Sequence, residues 1–169
     1  STRNYYLVLH RGSVDINKSI YFSLSAYERI KTSSVNVSIS GTASNKGNSS
    51  ISMSGVNSSV ISVNLTNDTK IPNKAIVTRI SSSGTQSPSQ GNVHHMIMPA
   101  SNGNWYTSTV SSASSGHYNI DIDDGIPVKQ KWSFKYNALA TAKSTMRNVK
   151  LTIEFQYDLH DTDYETYIR

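Results

Sequence analysis

At 169 residues the chain is sized for one domain around one core, residues 1–169, and its net charge of +5 is compatible with an anionic partner without requiring one. Hydrophobic residues make up 36% and charged residues only 16%, so Ser, Thr and Asn supply most of the polar surface, which suits strands and turns better than long exposed helices. The absence of cysteine excludes disulfides, thiolate metal sites and cysteine nucleophiles, and no apolar run is long enough for a membrane span.

Strands turn successive side chains to opposite faces, so period-two alternation marks them. A first run covers residues 5–10. In the second, Val35, Val37 and Ile39 alternate with Asn36, Ser38 and Ser40 until Gly41. Ile51 and Met53 alternate with serines, and Ile61, Val63 and Leu65 with Ser62 and Asn64. A run over 75–80 leads into 81–91, whose Ser, Gly and Pro content predicts a loop. Further runs cover 93–98, closed by Pro99, and 118–122, with turns expected over 100–104 and 111–116. Val128, Trp132, Phe134 and Tyr136 share one parity against Lys129, Lys131, Ser133 and Lys135. Val149, Leu151, Ile153, Phe155 and Tyr157 alternate without interruption. Short helices are expected only over 23–30 and 139–146.

About eight strands separated by Ser/Gly/Asn/Pro turns predict an all-β, eight-stranded, two-sheet sandwich. A jelly roll is preferred over an immunoglobulin-like sandwich, whose Cys–Trp–Cys hallmark is missing. The expected core contains Val37, Ile39, Val63, Trp132, Phe134, Leu151, Ile153 and Phe155.

Several groups carry candidate chemistry. Lys129, Lys131 and Lys135 can hold phosphates of a single-stranded nucleic acid without reading bases, although a solvated strand face is commoner. Lys143, Arg147 and Lys150 form a second basic group with the same two readings. Asp121, Asp123 and Asp124 offer carboxylates for Ca²⁺, but their spacing is not that of an EF-hand and a polar turn explains them as well. His94 and His95 are adjacent, so a strand sends them to opposite faces and they cannot share a metal. Trp105 and Tyr106 suit sugar stacking or subunit contact, or else plug one end of the sandwich. Six Asn-x-Ser/Thr triplets are expected by coincidence in so Ser/Asn-rich a chain. No nucleophile elbow, zinc-protease motif or phosphate-binding glycine loop is present, so no enzyme activity is expected.

Phe22 followed by Tyr27-x-x-Ile30-Lys31 and the alternating valines Val35 and Val37 resembles the entry to the second strand in coat (capsid) proteins of small icosahedral single-stranded DNA or RNA viruses. The closing runs 132–136 and 149–157 resemble the last two strands of such coats. The resemblance implies a virion subunit that self-assembles into a closed shell around nucleic acid. It also implies basic residues, here Arg3 and Arg11 with the lysine row, turned to the genome, and Ca²⁺ held between subunits. The basic N-terminal arm common in those coats is reduced to Arg3 and Arg11. Two other classes remain open: a cell-surface pilus or adhesin subunit, completed by a strand from its neighbour, and a β-rich lectin or pore-forming toxin.

Overall fold

The computed structural model describes residues 8, 10, 12, 13, 15–19, 21–23, 25, 29–90, 93–108, 118–122 and 124–159. Ten strands follow in order: β1 (Ile30–Ile39), β2 (Ala43–Asn45), β3 (Val56–Asn57), β4 (Ile61–Asn64), β5 (Ile76–Ser87), β6 (Val93–Pro99), β7 (Tyr106–Thr107), β8 (Tyr118–Ile120), β9 (Lys131–Ala138) and β10 (Ser144–Asp158). They form two five-stranded antiparallel sheets packed as a sandwich, and no helix occurs among the described residues. The first sheet runs β1–β10–β5–β8, with β2 on the same side of β10 as β1. The second runs β3–β9–β6–β7, with β4 also on β9. Merging β1 with β2 and β3 with β4 leaves the eight expected columns, and the chain changes sheet at nearly every connection.

The alternation is realised as burial. Trp132, Phe134 and Tyr136 of β9 and Val149, Leu151, Ile153 and Phe155 of β10 point inward, where they meet Val37 and Ile39. Val63 is only partly buried against this core. The indole Nε1 of Trp132 donates to the Val128 carbonyl at 3.0 Å, which satisfies its one polar atom inside the core.

Among the described residues, two buried side chain to side chain hydrogen bonds join the sheets. Tyr136 of β9 meets the Ser144 hydroxyl of β10 at 2.9 Å, and Gln86 of β5 donates to the same hydroxyl at 3.2 Å. Burial raises the Tyr136 phenol above its ordinary value. Ser82 of β5 and Nδ1 of His95 on β6 are 2.8 Å apart. The fully buried His95 ring stacks on Tyr118 at 3.6 Å and meets Phe134 edge-on at 5.1 Å.

Three expectations are corrected. The predicted loop 81–91 is strand as far as Ser87, because Ser82, Gly84 and Gln86 turn inward as small or polar core groups. Residues 51–54 form a turn instead of a strand. The Asn48 side chain closes it, accepting from the Ser52 amide and donating to the Ser52 carbonyl, both at 2.8 Å, and leaves Ile51 77% and Met53 93% exposed. The helix expected over 139–146 is absent: a tight connection leads into β10, whose Ser144 pairs with Asn45. Of the helix expected over 23–30, Ile30 already belongs to β1, and several of the other residues lie outside the described set, as does most of the run 5–10 and all of the turn 111–116.

The β9–β10 connection packs on Gly47, which sits at φ +84, and a Cβ built there would lie 2.2 Å from the Thr141 carbonyl oxygen. Gly47→Ala is therefore expected to destabilise the fold by more than about 1 kcal/mol, read from urea unfolding midpoints.

Candidate functional site

Among the described residues β1 stands at a sheet edge with ten residues paired only to β10. Its register runs unbroken from Ile30 opposite Asp158 to Ile39 opposite Val149. Inward it carries Val37 and Ile39, and outward Thr32, Ser34, Asn36 and Ser38. It contains no proline or glycine, and its one charge is Lys31. The other edges are short: β7 has two residues, β8 three, and the β3/β4 column two and four. Arg29 locks the start of this edge to the end of β10 through an ion pair to Asp158 at 2.6 Å, which raises the guanidinium pKa. Tyr21 and Phe22, which precede β1, are 93% and 63% exposed.

The three lysines of the row have different surroundings. Lys129 donates to the Asn73 side chain at 2.5 Å, and Lys131 is exposed on the outer face of β9. Lys135 sits on that same face with its Nζ 4.1 Å from the centroid of the Trp105 ring, and burial lowers its pKa. Arg3 and Arg11 lie outside the described residues.

The neighbours Trp105 and Tyr106 divide their roles. Tyr106, paired with Ile97, packs against the core as a plug, whereas Trp105 is capped by Lys135 on the outer face. The Tyr106 hydroxyl donates to the Asp124 carboxylate, the main cause of its raised pKa, and accepts from the Asn102 amide. Beyond Trp105 the outer face of the second sheet holds a groove of ≈ 300 Å³ lined by Met53, His94, Met96, Thr107, Asn137 and Leu139.

Asp124 is thus engaged by Tyr106, Asp121 is exposed, and Asp123 lies outside the described residues. No group of three or more His, Asp or Glu able to hold a metal ion occurs among the described residues, which do not include Asp123. His94 and His95 do point to opposite faces: His94 lines the outer groove and His95 is in the core.

No protein-family model matches the chain. It is 49% identical over 159 residues to the Bacillus subtilis (strain 168) protein YbdN, itself described as uncharacterized; the match takes in 94% of this chain and 55% of YbdN. The chain thus spans about half the length of this curated relative. Among solved structures, a crystal structure of FLHE overlaps 76% of this chain and 98% of its own, at 11% identity and a TM-score of 0.41. A virus-like particle subunit of the Macrobrachium rosenbergii extra small virus overlaps 88% of this chain and 95% of its own, at 10% identity and a TM-score of 0.35. A family 29 carbohydrate-binding module overlaps 71% of this chain and 92% of its own, at 10% identity and a TM-score of 0.35. At these values none of the three assigns an activity to this chain.

Proposed function

We propose that the chain is a structural, non-enzymatic sandwich subunit that joins copies of itself through the free edge of β1. The observation that carries this reading is the ten-residue edge of β1, which among the described residues pairs only with β10. A long, proline-free edge with a single charge presents a row of free N–H and C=O groups, and such an edge recruits another strand. Two identical edges meeting antiparallel are self-complementary about a twofold axis, so a second copy is a sufficient partner. The exposed Tyr21 and Phe22 add apolar surface next to that edge.

The jelly roll is the narrower fold reading, supported by columns that alternate between sheets in the orders β1/β2–β10–β5–β8 and β3/β4–β9–β6–β7. A shell of virus-coat type is the most specific form of self-association, and the bacterial relative lends it no support. Completion by a neighbour's strand, as in a pilus, is disfavoured because each sheet already has four columns from this chain.

Sedimentation across a concentration series tests the reading. The wild type is expected to associate reversibly. Thr32→Lys with Ser34→Lys sets like charges against each other across the twofold, so the paired edge is expected to weaken about tenfold with the circular dichroism unchanged. A wild type that stays monomeric throughout removes the proposal. Uniform closed particles in electron microscopy would select the shell form.

A further inference from the structure

β10 changes parity partway along. Ser144 and Met146 are buried, and so are Val149 and Leu151. An uninterrupted strand would send residues 147 and 150 to opposite faces. The extra residue is absorbed at Asn148, which adopts φ +53, and the register to β5 skips between Arg147 opposite Thr85 and Lys150 opposite Ser83. Asparagine tolerates this left-handed conformation better than most residues. The bulge brings two cations, Arg147 and Lys150, onto the same outer face.

The neighbouring column breaks at the same level, where Gly41, at φ +106, separates β1 from β2. Between the two irregularities lies a groove of ≈ 580 Å³ walled by Ser38, Ser40, Gly41, Arg147, Asn148 and Lys150. Its polar groups are hydroxyls, an amide and two cations, with no carboxylate. Glu154, on the same face of β10, is four residues beyond Lys150, ~13 Å at the rise of an extended strand. Neither Arg147 nor Lys150 makes an ion pair or side-chain hydrogen bond among the described residues. Arg29, Lys129 and Lys135, by contrast, are engaged, with Asp158, Asn73 and Trp105 respectively. Bulges re-aim side chains, and here the result is a pair of cations at a concavity lined by small donors.

We propose that this groove is an oxyanion site that binds a phosphate group, with Arg147 and Lys150 as its cations and Ser38, Ser40 and Asn148 as neutral donors. A planar guanidinium and an ammonium together match the charge of a terminal phosphate dianion, and a phosphodiester offers the same tetrahedral oxygens with one charge fewer.

The test is a titration of the full chain with inorganic phosphate, and separately with dimethyl phosphate, followed by amide chemical shifts. Saturable shifts confined to residues 38–41 and 147–150 are expected. Arg147→Gln and Lys150→Gln are each expected to weaken binding about tenfold, the worth of one charge-assisted hydrogen bond, while Lys131→Gln on the opposite sheet leaves it unchanged. Tighter binding of inorganic phosphate supports a terminal phosphate as the natural group, and equal binding supports the same site with a phosphodiester. No saturable shift with either probe, or phosphate binding unaltered in both glutamine variants, overturns the proposal.

Discussion

Trp132→Ala is expected to destabilise the sandwich by about 3–5 kcal/mol, a large part of the stability of a domain this size. The side chain is fully buried, sits on the central strand β9, and has Val63 of β4 and Pro99 of β6 as register partners on either side. Truncation opens a cavity that rigid flanking strands cannot close. It also leaves the Val128 carbonyl without the indole donor that now lies 3.0 Å away. Trp132→Phe separates the two effects: it keeps most of the volume and is expected to cost about 1 kcal/mol for the lost hydrogen bond, because the Val128 carbonyl still accepts from the Gln130 amide at 2.9 Å. The second tryptophan supplies the contrast. Trp105 is half-buried on the outer face beneath the Lys135 ammonium, so Trp105→Ala is expected to cost only about 1 kcal/mol. Urea unfolding of the three variants checks the order, and equal losses for the two alanine variants would contradict the assigned packing.

Acid is expected to weaken the fold through His95. Its ring is enclosed by Tyr118 and Phe134, its Nδ1 faces the Ser82 hydroxyl, and its Nε2 has no hydrogen-bond partner among the described residues. Burial lowers its pKa from 6.5 to about 3. Between those values the unfolded chain takes up a proton that the folded chain refuses. The contribution is therefore intact above pH 6.5 and is lost progressively as pH falls towards 3. The slope is ~1.4 kcal/mol per pH unit, which caps the loss at about 5 kcal/mol. His95→Phe keeps the ring stack and removes the proton site. The variant is expected to be less stable at neutral pH, because Ser82 loses its partner, and flatter in acid by one proton. Carboxylates titrate in the same range, so the decisive quantity is the difference in slope between wild type and variant. Identical slopes would show that His95 protonates as readily in the folded chain as in the unfolded one.

The strands whose inward residues are all large and apolar were legible from alternation alone. β9 from Trp132 to Tyr136 and the second half of β10 are of this kind, and so is the end of β1 at Val37 and Ile39. β5 was legible only to Ile80, because beyond it the inward positions are Ser82, Gly84 and Gln86. Their environment explains them: a Cβ on Gly84 would lie 3.0 Å from the Met146 side chain, and Ser82 and Gln86 are tied to His95 and Ser144. Ile51 and Met53 misled in the opposite direction, since their alternation lies on a turn imposed by Asn48, whose contacts reach Leu139. The good helix formers over 139–146 were overridden by pairing with β2 and β5. Of the candidate groups, the opposed faces of His94 and His95 followed from strand geometry. The capping of Trp105 by Lys135 joins residues thirty positions apart and had no local signal. The parity change at Asn148 was readable, because Met146 and Val149 are three apart and both apolar, yet an alternation search starting at Val149 never meets it.

The two outer faces of the sandwich differ in chemistry. The first sheet shows Thr32, Ser34, Asn36, Thr152, Ser81 and the Arg147–Lys150 groove; the second shows Met96, Trp105, Lys135 and His94. Joining two copies edge to edge along β1 uses an axis normal to the first sheet, which turns neither copy over. The pair would then be a layer with distinct sides, one wet and hydroxylated with two cationic grooves, the other greasy and aromatic. The twofold contact closes on the pair, so anything larger needs a second contact, but it would be built from units whose inside and outside already differ.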